Sequence, residues 1–79
     1  MLNDAINRYV ELHRALGFKF RLQAYLLRSF AKFAESRGDG FVRNETVLDW
    51  AGEAPSAAQR RGRLLQVRRF AEAMQAEDR

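Results

Sequence analysis

Apolar residues recur at the three-and-four spacing of an α-helix in four separate stretches, and no stretch shows the sustained alternation of a strand. The first series, Leu2, Ile6, Tyr9, Val10, His13 and Leu16, predicts a helix from about Asn3 to Leu16. Asn3 is its expected N-cap, Asp4 supports the first turn, and Gly17 is the left-handed residue that ends it. The opposite face, Asn7, Arg8, Glu11 and Arg14, is mixed in sign and reads as solvated surface. The second stretch, Lys19 to Arg37, divides most sharply. Leu26, Leu27, Phe30, Phe33 and Ala34 fall on one side of a helical wheel; Arg21, Tyr25, Arg28 and Lys32 fall on the other. A helix from about Arg21 to Arg37, closed by Gly38, would bury the first stripe and present the second, almost purely cationic, to solvent. Phe18 and Phe20 are expected to anchor the corner between these two helices.

Residues 38–43, Gly-Asp-Gly-Phe-Val-Arg, open with turn chemistry and should tuck Phe41 and Val42 beneath the bundle. A short third helix, about Glu45 to Ala51, contributes Val47, Leu48 and Trp50, with Trp50 as a core anchor. Asn44 or Thr46 is its expected cap, and Thr46 and Asp49 have capping-box spacing. After Gly52-Glu53-Ala54-Pro55, the Ser56-x-x-Gln59 spacing starts a fourth helix that runs to about Ala76. Its buried stripe is Leu64, Val67, Phe70, Ala71 and Met74. Ala58, Gln59, Gly62, Gln66 and Arg69 face outward, with Arg61 and Arg63 at the margins. A glycine inside a helix costs about 1 kcal/mol relative to alanine. At Gly62, either a partner approaches the backbone closely or the exposed site simply tolerates glycine. Four helices joined by short connections make an all-α bundle in a single domain.

The formal net charge of +4 leans towards polyanionic partners, and its distribution says more than its size. Residues 19–37 and 60–69 each hold five lysines or arginines, and the two segments contain one acid between them, Glu35. Glutamine and arginine suit base edges, and arginine and lysine suit phosphates. Residues Lys19, Arg21, Tyr25, Arg28 and Lys32 from the second helix, and Gln59, Arg63, Gln66 and Arg69 from the fourth, are therefore the expected DNA-binding set.

The absence of cysteine excludes disulfides and zinc–thiolate sites and fits a reducing cytoplasm. No apolar run approaches the roughly 20 residues of a membrane span, and Met1 to Tyr9 lacks the layout of a signal peptide. His13, the sole histidine, lies on an apolar stripe with no second imidazole to share a metal. No glycine-rich phosphate loop is present, Ser29, Ser36 and Ser56 have no histidine in a suggestive arrangement, and the carboxylates are scattered singly. The expectation is a binding module with no catalytic residue, no metal and no cofactor. It has no small-molecule substrate and no membrane association.

Leu16-Gly17-Phe18 after the first helix, Leu27-x-x-Phe30-x-x-Phe33 in the second, Trp50 in the third and Val67-Arg68-x-Phe70 in the fourth resemble the N-terminal core-binding domain of tyrosine recombinases, the phage integrase family. The resemblance covers nearly the whole chain. It implies a sterile-alpha-motif-like four-helix orthogonal bundle whose second and fourth helices lie across the major groove, while a separate catalytic domain grips the other side of the duplex. It thereby adds Gly62 to the expected DNA-binding set. It implies double-stranded DNA and other recombinase protomers as partners, and a bacterial or phage-derived protein associated with the nucleoid in the cytoplasm. The family's tyrosine nucleophile belongs to the catalytic domain, so neither Tyr9 nor Tyr25 takes that role. Glu77-Asp78-Arg79 falls where an interdomain linker would begin, as in an excised domain or truncated recombinase. The alternative is a helical protein–protein interaction module, using the first helix or the end of the fourth.

Overall fold

A computed structural model describes residues 2–77 and contains four helices and no strand among them: α1 Leu2–Ala15, α2 Arg21–Ser36, α3 Asn44–Gly52 and α4 Ala57–Glu77. The chain is an all-α bundle, as its periodicity predicts. Positions 78 and 79 of the expected linker lie outside the described residues. Helices α2 and α4 each pack against all three others, whereas α1 and α3 do not pack together. The core therefore lies along the α2–α4 pair. Leu27, Phe30, Val67, Phe70 and Trp50 are essentially fully buried there, with Ile6 and Val10 closing it from α1.

Trp50 is the expected anchor. Its indole packs edge-on to Phe30 at 5.4 Å, and its Nε1–H donates to Ser29 Oγ at 3.2 Å. The large ring is thus buried without stranding its polar atom. The helix ends are also largely as expected. Gly17 (φ 97°) ends α1 with a Schellman pair: Phe18 N–H donates to His13 O and Gly17 N–H to Arg14 O. Gly38 (φ 77°) ends α2 in the same way, through Asp39 N–H to Ala34 O and Gly38 N–H to Glu35 O. Ser56 Oγ accepts from Gln59 N–H at 3.1 Å, so the predicted cap starts α4.

Several expectations are corrected. Asn3 is not an N-cap; it lies inside α1, because burial of Leu2 extends the helix one residue upstream. Leu16 is 66% exposed, since the Gly17 turn lifts it off the stripe that the wheel assigned it. Phe18 does not anchor the corner; it is 59% exposed, and only Phe20, two residues on, turns back onto the bundle. Phe41 is exposed as well, because of two adjacent loop residues only Val42 faces the core. Leu48 and Leu64 lie at the surface, although both were assigned to apolar faces.

The Thr46–Asp49 capping box is absent, and α3 starts at Arg43 without a side-chain cap. Thr46 instead donates its hydroxyl to Asp39 in the preceding loop. Asp49 accepts from Arg37 Nη1 at 2.6 Å. Both side chains serve the α2–α3 connection rather than the helix end.

Candidate nucleic-acid interface

The cations divide by what they touch. Arg37 pairs with Asp49, Arg43 with Asp39 at 3.7 Å, and Arg68 with Glu72 at 2.9 Å. Arg60 Nη1 donates to Ala54 O, and Arg63 Nη1 donates to Trp50 O at 2.8 Å while its guanidinium lies 4.8 Å from the Trp50 ring centre. Arg63 thus supplies a hydrogen bond and positive charge to the last turn of α3, and Arg60 does so to the connection that follows it. Lys19, Arg21, Arg28, Lys32 and Arg69 form no ion pair and no side-chain hydrogen bond among the described residues, and all five are exposed.

These unpaired cations are gathered by the fold. A groove of about 500 Å³ between α1 and α2 is lined by Arg14, Arg21, Tyr25, Arg28 and Lys32. A cleft of about 560 Å³ at the α1–α2 corner brings Lys19, Arg21 and Gln23 against Gln66 and Arg69 of α4. Arg21 lines both, so the two depressions form one basic surface. α2 supplies its length because Arg21, Tyr25, Arg28 and Lys32 repeat at helical spacing, opposite the buried Ala24, Leu27 and Ala31. Tyr25 is 69% exposed and stands between the cations.

The cleft has an aromatic wall. The His13 imidazole stacks on Phe20 at 4.3 Å and 16°, and lies 4.3 Å from Tyr9. Its Nδ1–H donates to Tyr9 O at 2.9 Å, so the histidine is satisfied within the fold, as its place on the apolar stripe suggested. Burial pushes the Tyr9 phenol above its ordinary pKa, and the Arg69 charge partly opposes this. Phe20 holds the left-handed conformation (φ 57°, ψ 28°) at the N-cap of α2 and provides no side-chain cap. For a residue with a Cβ this backbone costs roughly 1–2 kcal/mol. The stack against His13 and the edge contact with Tyr9 at 5.7 Å hold it there.

Of the candidate residues, Lys19, Arg21, Tyr25, Arg28, Lys32, Gln66 and Arg69 converge on this surface. Gln59, Gly62 and Arg63 line neither depression. Gln59 is exposed on the first turn of α4, and Gly62 lines a shallow depression with Arg61, Leu64, Leu65 and Arg68. Arg63 is corrected in position: it is not at the margin of an outward face but half-buried against α3. Two members of the surface escaped sequence reasoning. Arg14 looked like part of a mixed, solvated face, yet the Gly17 turn folds α2 back beside the last turn of α1. Gln23 sits one position off the cationic stripe and carries no charge to mark it.

In sequence, the chain is 39% identical over 56 residues, 71% of its length, to a Sinorhizobium fredii strain NGR234 protein named as integrase/recombinase y4rB. It is 36% identical over 76 residues, 90% of its length, to a second protein of that strain, named as integrase/recombinase y4rE. The chain spans only 18% and 24% of the length of these relatives. No family model matches it, and no solved structure does. With most of its length aligned to two such proteins, and with the helical bundle expected from its sequence motifs, the chain belongs to the integrase/recombinase family.

Proposed function

We propose that this chain is a DNA-binding domain of a tyrosine-type site-specific recombinase, gripping duplex DNA through α2 and α4 while a separate catalytic domain performs strand exchange. The observation that carries the proposal is the segregation of cations. Arg37, Arg43, Arg60, Arg63 and Arg68 are engaged by carboxylates or backbone carbonyls, while Lys19, Arg21, Arg28, Lys32 and Arg69 are left without such partners on one surface. A contiguous row of unpaired arginines and lysines suits a phosphate backbone, and the amides of Gln59 and Gln66 suit base edges. On this reading α2, with Lys19, Arg21, Tyr25, Arg28 and Lys32, provides most of the phosphate contact. Helix α4 lays Gln59, Gly62, Gln66 and Arg69 against the duplex, and Arg63 holds it at the right height on α3. The names of the two relatives, both integrase/recombinase, support DNA as the partner.

Replacing Arg21, Arg28 and Arg69 together by alanine tests it. All three are exposed, so the fold should survive. Fluorescence anisotropy at low salt should show duplex affinity falling by at least tenfold. Affinity equal to that of the wild type would remove this face from consideration.

One observation favours a second reading, a protein–protein interaction module. Val47 and Leu48 of α3 and Leu64, Val67 and Ala71 of α4 line an apolar groove of about 450 Å³, which differs from the expected contact surfaces on the first helix or the end of the fourth. Concentration-dependent self-association with no DNA affinity, measured by analytical ultracentrifugation, would favour this reading over the first.

A further inference from the structure

The corner cleft contains more than phosphate contact requires. Four rings border it: Tyr9, His13, Phe18 and Phe20. Three are held by mutual stacking and edge contacts, but Phe18 is 59% exposed and 6.1 Å from His13, with ring planes tilted by 48°. Its backbone is fixed, because its N–H closes the Schellman pair on His13 O. Phe18 therefore combines an anchored backbone with an open ring face and is not a tip on a loose loop. Lys19, Arg21 and Arg69 supply the charge around it, and Gln23 and Gln66 supply amides. Among the described residues, no carboxylate lines the cleft. A planar, hydrogen-bonding ring attached to an anion matches this lining. A simple phosphate would leave the rings unused, and an apolar peptide would leave three cations and two amides unused.

We infer that this cleft holds one unstacked nucleobase with its phosphate. The base lies on Phe18 and the aromatic wall, its edge meets Gln23 or Gln66, and the phosphate meets Lys19, Arg21 and Arg69. The inference rests on the DNA-binding reading and adds to it a site for an extruded or unpaired base. Stacking a base on an aromatic side chain strengthens binding about tenfold or more, and a base already outside the duplex avoids the cost of unpairing.

The experiment compares a perfect duplex with the same duplex carrying one bulged 2-aminopurine nucleotide, using the full chain. The wild type should bind the bulged DNA roughly tenfold more tightly and quench the 2-aminopurine fluorescence. Phe18→Ala should abolish both the preference and the quenching while binding the perfect duplex as the wild type does, and Phe18→Trp should restore them. Circular dichroism confirms that each variant is folded. Equal affinity for the two DNAs, or a preference that survives Phe18→Ala, overturns the inference and leaves duplex binding standing. Failure to bind either DNA overturns both.

Discussion

Arg63 and Arg69 are six residues apart on α4, and their side chains do different things. Arg63 is committed: its guanidinium lies over the Trp50 ring and donates to the Trp50 carbonyl. A hydrogen bond from a charged group contributes about 1.5–3 kcal/mol, and a partly desolvated cation–π contact adds to it. Arg63→Ala should therefore lower the stability by about 2 kcal/mol, seen as a drop in Tm on the order of 10 °C for a domain of this size. Arg63→Lys should recover only part, since a lysine lacks the planar fork that reaches ring and carbonyl together. A Tm unchanged in Arg63→Ala would show that the contact contributes nothing. Gly62, one residue earlier, gives the opposite expectation. A Cβ added there meets nothing within 4 Å, so nothing inside the molecule requires glycine. Gly62→Ala should raise stability by up to about 1 kcal/mol, measured by urea unfolding. If a duplex backbone approaches α4 at this point, the same variant should bind DNA less tightly despite being more stable. A gain in stability with unchanged affinity would assign the glycine to mere tolerance.

At the scale of helices, the two Schellman turns set the corners. Gly17 and Gly38 both have positive φ and open space where a side chain would be. Gly17→Ala should therefore cost only the conformational penalty, about 1–2 kcal/mol, with no steric addition; thermal unfolding measures it. These ends were legible in the sequence because glycine after an apolar-periodic run has one common use. The cationic stripe of α2 was legible for a similar reason: a period of 3.6 over 16 residues leaves little choice of face. Legibility failed where a tertiary contact outbid a local rule. Thr46 and Asp49 had the spacing of a capping box, but Asp39 and Arg37 offered closer partners. Phe18 and Phe41 looked like core residues, yet each shares its turn with a residue, Phe20 or Val42, that occupies the inward position first. On α4, Arg63 takes a place on the inward side with Val67 and Phe70, because the Trp50 ring and the end of α3 can receive a guanidinium there. Leu64 is then left at the surface. No wheel drawn from one helix could show that.

At the scale of the whole molecule, the question is whether DNA responds to the total charge or to its placement. The two can be separated, because the chain offers two sets of three arginines. Replacing Arg21, Arg28 and Arg69 by alanine lowers the formal net charge from +4 to +1, and so does replacing Arg37, Arg43 and Arg68. The first set is unpaired and belongs to the basic surface; the second is ion-paired with Asp49, Asp39 and Glu72. The exposed Arg37–Asp49 and Arg68–Glu72 pairs contribute about 0–1 kcal/mol each, and Asp39, whose side chain is largely buried, keeps its hydrogen bond from Thr46 when Arg43 is replaced, so both triple variants should stay folded at low temperature. Each phosphate neutralised by the protein releases counterions and adds about 0.9 to the slope of log affinity against log salt. With about five phosphates engaged, the wild-type slope should be near −4.5. The first variant should flatten it by roughly 2.7, whereas the second should leave it within about one unit of the wild type, since those guanidinium groups already have carboxylate partners and line neither depression of the basic surface. Titrations of one duplex at several salt concentrations decide between the two. If both variants flatten the slope equally, net charge alone governs binding, and the surface built from α2 and Arg69 has no special role.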